Sequence, residues 1–288
     1  MRRSKGFTLV ELLVVVGIIG LLAAILVPTL QQANELTNRT VCMSNLASVG
    51  KALTLYKGQN DNSWPWISDK LKSWDTTPTG KNRDPDKDPF KDPNDTTPHA
   101  ITSLMFLLVR DGQPVKLFVC PSTSRRKDER IVDDANAKDD EEPPYFWDFS
   151  TYNNVSYSWQ APFEDKEGNY RQGISDADND AVVMADMTPA EDPVEDWNNN
   201  EWDPEMKGVK IQPHVGPNHR GKQVNALYVG MNVAKSDRPD IGANKDMIFT
   251  ASGKTKRGDR KATSLSIAEH KSTRDSFLIG PVGDPNNP

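Results

Sequence analysis

The chain has 288 residues, of which 35 are basic and 41 acidic, and only 36% are hydrophobic. That length suits one elaborated domain with a modest core and much polar loop, and the acidic balance argues against nucleic acid as a partner. Four histidines and two cysteines leave little material for metal or thiol chemistry.

The chain begins with three cations, Arg2, Arg3 and Lys5, and then runs from Phe7 to Val27 with a single charge, Glu11, before Pro28. As a helix, those residues reach ~31 Å, enough to cross a bilayer core of ~30 Å. The leading cations keep the N-terminus cytoplasmic and send everything after Pro28 outward. Glu11 is the anomaly, because a carboxylate in the apolar phase costs roughly 2.5–3.5 kcal/mol on insertion scales. Cleavage after Gly6 would give Phe7 a cationic amine four residues from Glu11. Pairing that amine with Glu11 of a neighbouring chain would convert the liability into an assembly code. The alternative is a signal anchor with one tolerated interfacial acid. Ordinary signal-peptide cleavage does not fit, since Leu22–Val27 offers alanines but no polar c-region.

The short basic leader, Gly6, Phe-Thr-Leu-Val-Glu-Leu-Leu and the run ending Leu-Ala-Ala-Ile-Leu-Val-Pro resemble the class III signal of type IV pilins and type II secretion pseudopilins. The resemblance implies that a prepilin peptidase cuts after Gly6 and methylates Phe7, and that Glu11 guides subunit docking. It also implies a single-pass protein of the bacterial inner membrane, with the globular domain periplasmic. Assembly machinery would then deliver it to a periplasmic or surface filament. Residues 1–6 are then the leader and 7–27 the membrane and assembly helix.

Past Pro28 the helical pattern resumes over 28–60. Cys42, Leu46, Val49, Leu53 and Tyr56 form an apolar stripe on an otherwise polar helix. Pro28 should loosen the helix where it leaves the membrane. Gly17, Gly20 and Ala24 give the membrane half small faces for close helix contact. The turn formers Gly58–Ser63 end the helix. Lys51–Pro65 resembles the helix exit of G-type major pseudopilins.

The globular part, 61–288, carries three polar insertions at 75–98, 127–144 and 188–207. Between them, a second helix is expected around Ile101–Leu108, and Leu117-Phe118-Val119-Cys120 reads as a short buried strand stopped by Pro121. Val155, Tyr157 and Trp159 alternate with Ser156 and Ser158, which predicts a half-buried strand. Ala181–Ala185 reads as a central strand. His219 to Val233 reads as a loop and then a hairpin around Gly230. That segment resembles the H-x9-DG stretch of long prepilin-type proteins, with His219 and Gly230 at the right spacing and Val229 in the aspartate position. Lys245–Thr250 and Asp275–Pro281 read as later strands. The expected fold is α+β: a long N-terminal helix laid across a small antiparallel sheet.

No catalytic motif of a hydrolase, P-loop or dinucleotide-binding protein occurs, so no catalytic residue is assigned. Cys42 and Cys120 lie 78 positions apart, and both lie outside the cytoplasm. They are read either as a disulfide or as two buried free thiols. A zinc site would need two further ligands, which no nearby His or Cys spacing supplies. His214 and His219 read as surface loop residues, with His219 suited to a structural hydrogen bond. Asp176–Asp180 opens like a calcium loop but lacks the sixth-position glycine and twelfth-position glutamate, so it reads as a solvated turn. No cofactor is assigned, calcium remaining the candidate that some pseudopilins suggest. Trp197 and Trp202 raise a rival reading, a membrane-anchored periplasmic ligand- or glycan-binding protein. Trp64, Trp66 and Trp159 read as core. The preferred reading is a non-enzymatic filament subunit whose partners are sister subunits, the peptidase and the membrane machinery.

This reading expects a mature N-terminus at Phe7. Edman sequencing or intact mass of the membrane-extracted chain checks it, and a start at Met1 or beyond Ala24 contradicts it.

Overall fold

Leu9–Gln59 forms one 51-residue helix, α1, about 77 Å long, which runs through Pro28 without a break. It belongs to a computed structural model that describes residues 8–67, 74–75, 99–129, 146, 148–164, 170–187, 218–221, 223–237, 241–242, 248 and 278–279. Thr8 starts the helix in extended conformation, and its hydroxyl accepts the Glu11 N–H while the Glu11 carboxylate accepts the Thr8 N–H, a reciprocal capping box. At the far end, the Asn60 side chain donates to the Tyr56 carbonyl. Asp61 and Asn62 then take left-handed conformations, φ 50° and 60°, which turn the chain away. Both types tolerate that region because a short polar side chain can bond locally.

The two halves of α1 meet different surroundings. Every residue from Thr8 to Asn34 is exposed. Beyond it, Cys42, Leu46, Val49, Gly50, Ala52 and Leu53 are buried, the stripe that the 4-3-4-3 spacing predicted, with Tyr56 half-buried at its end. Short strands β1 (Trp74–Asp75) and β2 (His99–Ala100) pair in parallel. Helix α2, Thr102–Arg110, follows, as expected around Ile101–Leu108. Then come β3 (Tyr157–Gln160), a small antiparallel pair β4 (Phe163–Glu164) and β5 (Tyr170–Arg171), β6 (Val182–Asp186), β7 (Val224–Tyr228), β8 (Val233–Ser236) and β9 (Leu278–Ile279).

Strands β8, β7, β6, β3 and β9 lie in that order in one antiparallel sheet, with β6 in the centre. Helix α1 rests on the β7–β8 hairpin. At the crossing, Gly50 lets the backbones approach, because a methyl there would stand 3.0 Å from Leu227 Cδ1. The main core joins the α1 stripe to α2, Phe118, Phe149, Val155, Tyr157, Trp159, Val183 and Leu227. Phe149 stacks edge-on against both Phe106 and Phe118, at 5.1 and 5.5 Å. Trp64 and Trp159 are buried and Trp66 packs half-buried against the same core.

Several expectations are corrected. Leu117–Cys120 is not a strand: Val115–Phe118 is a 3-10 turn that follows Pro114, whose φ of −68° already suits a helical start. The β3 strand is not half-buried, since all four residues are covered, Ser158 included. Alternation signalled one wet face, but the serine-bearing face is buried as well, Ser156 and Ser158 both having no exposed surface. The hairpin forms around Gly230, yet the left-handed residue is Met231, φ 62°. The Met231 N–H donates to Tyr228 O and the Tyr228 N–H to Asn232 O, which closes a three-residue loop. Such a loop does not need Asp at position 229. Asp128, expected in an exposed insertion, is buried, and its carboxylate accepts the Ser150 N–H and hydroxyl at 2.7 and 2.8 Å.

The Gly6–Phe7 bond, residues 76–98 and 130–144, the insertion at 188–207, His214, Trp197 and Trp202 lie outside the described residues. So do most of the strands read at Lys245–Thr250 and Asp275–Pro281.

Leu53 is fully buried and Leu36 on the same helix is 64% exposed. Leu53→Ala should therefore destabilise the domain by about 2–5 kcal/mol in chemical denaturation, while Leu36→Ala should change it by less than about 0.5 kcal/mol.

Candidate functional site

Two places in the described structure carry unusual chemistry, and α1 passes through both. The first is its bare half. Leu9 to Leu30 presents large aliphatic side chains, each about half exposed or more, on every side of the helix. Among the described residues nothing buries any part of the apolar window, and it is long enough to span a membrane. A soluble domain does not leave that much apolar surface in water; lipid or other helices must cover it. A Cβ at Gly17 or Gly20 would meet nothing within 4 Å, so both remain open notches on the single chain. Glu11 stands one turn inside this surface. Its Oε2 accepts the Thr8 N–H at 2.8 Å and the Thr8 hydroxyl at 2.7 Å. The carboxylate is thus partly solvated by its own helix end, which sequence patterning did not anticipate, and its charge sits at the positive end of the helix dipole.

The second place is buried where α1 enters the domain. Cys42 on α1, Cys120 after the 3-10 turn, Asp186 at the end of β6 and His219 in the short turn Asn218–Gly221 bring one donor atom each within 4.8 Å of one another. The cysteines and His219 have no exposed surface, and Asp186 only 1%. The two cysteines are free thiols. The Cys42 thiol donates to Asp186 Oδ1 at 3.1 Å, and Cys120 Sγ lies 3.7 Å from His219 Nε2. Tyr157 donates its hydroxyl to Cys42 Sγ at 3.3 Å. The other ring nitrogen of His219, Nδ1, lies 2.9 Å from Ser122 Oγ and 3.2 Å from Glu35 Oε1. Arg39 donates to Glu35 one helical turn away.

Electrostatics follow from this geometry. Burial pushes the Asp186 carboxyl above its usual range against the pull of His219 and the Asn225 N–H. Burial alone would lower His219, but the Cys120 hydrogen bond and the Asp186 charge outweigh it and hold the imidazole above its ordinary value. Hydrogen bonding between the two sulfurs divides them: Cys120 is drawn down to about 6, and Cys42 is pushed up. Glu35 is lowered, because hydrogen bonds from Ser122, Arg39 and His219 overcome its partial burial.

Of the residues singled out by sequence, the structure brings together Cys42, Cys120 and His219. His219 is not a surface loop residue, and the two ligands said to be missing beside the cysteines are present in space. Asp186 was missed altogether; its signal was only a carboxylate closing an otherwise apolar strand. Gly230 is not part of the cluster; its N–H donates to Asn179 O in the neighbouring turn. Asp176 is engaged within the protein, where it takes the Lys57 ammonium and the Trp64 indole N–H.

Residues 1–27 match the family model for the prokaryotic N-terminal methylation motif. The type II secretion system core protein G of Pectobacterium carotovorum is 40% identical over 77 residues, 27% of this chain and 49% of that protein. The type IV wide pilus major component PilA4 of Thermus thermophilus is 44% identical over 62 residues, 22% of this chain and 47% of that protein. Core protein G of Klebsiella pneumoniae is 35% identical over 81 residues, 28% of this chain and 57% of that protein. The chain spans about half the length of the curated relatives it matches. No solved structure matches it.

Proposed function

We propose that this chain, whose N-terminal helix is that of the pilin and pseudopilin family, is a structural subunit of a type II secretion pseudopilus or a type IV pilus-like filament. The observation that carries the reading is the bare apolar half of α1 behind a capped, acid-bearing N-terminus. In the membrane, that half faces lipid. After a prepilin peptidase removes residues 1–6, the Phe7 amine is released beside Glu11, and the assembly machinery of the inner membrane draws the subunit out. In the filament, the half faces sister helices, with Gly17, Gly20 and Ala24 setting how closely they approach.

Glu11 has a specific part in this exchange. The two bonds that its carboxylate accepts from Thr8 engage Oε2 alone. Oε1 can accept the Phe7 ammonium of the adjacent subunit without uncapping the helix. The pair is gained only in the filament, so it biases the subunit toward extraction. The role is structural, and no residue is assigned to catalysis.

The rival reading, an anchored periplasmic ligand or glycan binder, would use the helix as a tether only. A described surface pocket, bordered by Arg126, Lys127, Asp128, Asn153 and Asn154, has no aromatic side chain on its walls for a sugar face. The tryptophans that raise this rival, Trp197 and Trp202, lie outside the described residues, and incorporation into filaments separates the two readings.

The variant Glu11→Gln separates capping from charge, since glutamine also serves in a capping box. It should insert in the membrane and be cut after Gly6 as wild type is, while its recovery in sheared filaments falls at least tenfold. Glu11→Ala should show the same assembly loss with insertion intact or improved. Normal filament recovery for the glutamine variant would reduce Glu11 to a helix cap and refute the pairing.

A further inference from the structure

We infer that Cys42, Cys120, Asp186 and His219 form a structural site for a divalent transition metal, with zinc the ion that fits best, and that this metal clamps α1 to the globular domain. The donor set selects the ion class. Two sulfurs, one imidazole nitrogen and one carboxylate oxygen suit a borderline ion, whereas calcium and magnesium take oxygen ligands. Four protein ligands, all buried, make a closed site of the structural kind, with no open position for substrate.

The spacing agrees. Tetrahedral zinc with bonds of about 2.0–2.3 Å separates its ligand atoms by about 3.3–3.8 Å. Here Cys120 Sγ to His219 Nε2 is 3.7 Å, His219 Nε2 to Asp186 Oδ2 is 3.6 Å, and Cys42 Sγ to Asp186 Oδ1 is 3.1 Å. The two carboxylate distances involve different Asp186 oxygens, and the four donor atoms together lie within 4.8 Å of one another, so the ligands close in by up to about 1 Å to seat the ion. The ligands come from four elements far apart in sequence, so only the fold assembles them.

The surroundings are those a metal ligand set needs. His219 faces the cluster through Nε2, and its Nδ1 faces Glu35 and Ser122. A proton on Nδ1 donated to Glu35 leaves the Nε2 lone pair for the metal, the carboxylate–histidine–metal arrangement. Glu35 is itself held by Arg39 and by the Ser122 hydroxyl at 3.1 Å. Asp186 accepts the Asn225 N–H at 2.7 Å and the Asn218 amide at 3.0 Å, which orient it. Gln223 donates to Asn225 Oδ1 at 2.6 Å, which turns Asn225 Nδ2 toward the cluster. That amide lies 2.9 Å from His219 Nε2 and 3.4 Å from Cys42 Sγ. With the metal on Nε2 it donates to the sulfur, beside the Tyr157 hydroxyl. His219 also holds a left-handed backbone, φ 54°. A non-glycine residue keeps that conformation only where its surroundings over-determine it, and such residues cluster at functional sites.

Two other fates compete for the same atoms, a metal-free hydrogen-bonded core and a Cys42–Cys120 disulfide formed outside the cytoplasm. The full chain, purified in detergent without added chelator, distinguishes them. Elemental analysis should find one zinc per chain, and thiol reagent should reach both cysteines only after chelation. Exchange with cobalt(II) should give the intense visible bands and sulfur charge-transfer absorption of a tetrahedral thiolate site. Chelator should lower Tm, and zinc should restore it. Cys120→Ser and Asp186→Asn should weaken zinc binding at least a hundredfold. Glu35→Gln, which removes the carboxylate supporting His219 and leaves all four ligands in place, should weaken it about 10–100-fold while leaving the cobalt spectrum tetrahedral. The wild-type cobalt spectrum decides the matter even if a variant does not fold. Folded wild-type chain without stoichiometric metal overturns the site, as does an intact mass showing the disulfide. The outcome is independent of filament assembly, because it is read on the isolated subunit.

Discussion

One helix has to satisfy two environments, and the rest of the structure is arranged around that constraint. From Thr8 to Asn34 nothing in the described chain covers α1, whereas from Cys42 to Leu53 one stripe of it is sealed under the domain. Each fully buried leucine or valine of the stripe is worth about 1.5–3 kcal/mol relative to exposure. Leu46, Val49 and Leu53 together hold the helix to the sheet, and the absence of a side chain at Gly50 brings the β7–β8 hairpin within reach of it. The bare half gains nothing from its own chain. On the proposed reading its burial energy is left for lipid in one state and for sister helices in another.

This division explains why the polar chemistry sits at the two ends of the exposed stretch. At the N-terminal end, a charge must exist in a segment that otherwise excludes charges, and the helix cap reduces its cost. At the domain end, Glu35 and Arg39 mark the last polar turns before the stripe becomes buried, and Glu35 reaches inward to His219. On the proposed filament reading, force applied to the apolar half passes to the domain through this junction. A cluster that joins α1 through Cys42 to β6 through Asp186, and to two loops through Cys120 and His219, resists sliding of the helix in a way that apolar contacts, being non-directional, do not.

The relatives match about a quarter of this chain, and its domain is built from many short strands joined by polar segments. A modest hydrophobic content has to be concentrated in one place, and it gathers between α1, α2 and the central strands. Buried polar side chains then become costly unless they find partners, which is why Asp128, Asp186 and Asn225 each stand in a hydrogen-bonded arrangement.

What could be read without coordinates was whatever depends on neighbours in sequence. The membrane-length run, the apolar stripe of α1, helix α2, the central strand and the Gly230 hairpin all follow from periodicity, turn chemistry or a contiguous motif. The misreadings share a cause. Leu117–Cys120 was apolar enough for a strand, but a preceding proline and the packing of Phe118 against Phe149 made it a turn. Alternation over Val155–Trp159 implied a wet face, but Ser156 and Ser158 are buried, Ser156 against Thr123 and the Phe118 carbonyl. Above all, Cys42, Cys120, Asp186 and His219 have no spacing in common; each lies on a different element, separated by tens of residues. Ligand motifs are legible when one helix or loop supplies them, because local geometry then fixes their distances. When four elements supply one atom each, only the register of the sheet and the docking of the helix bring them together, and the sequence alone could not show that they meet.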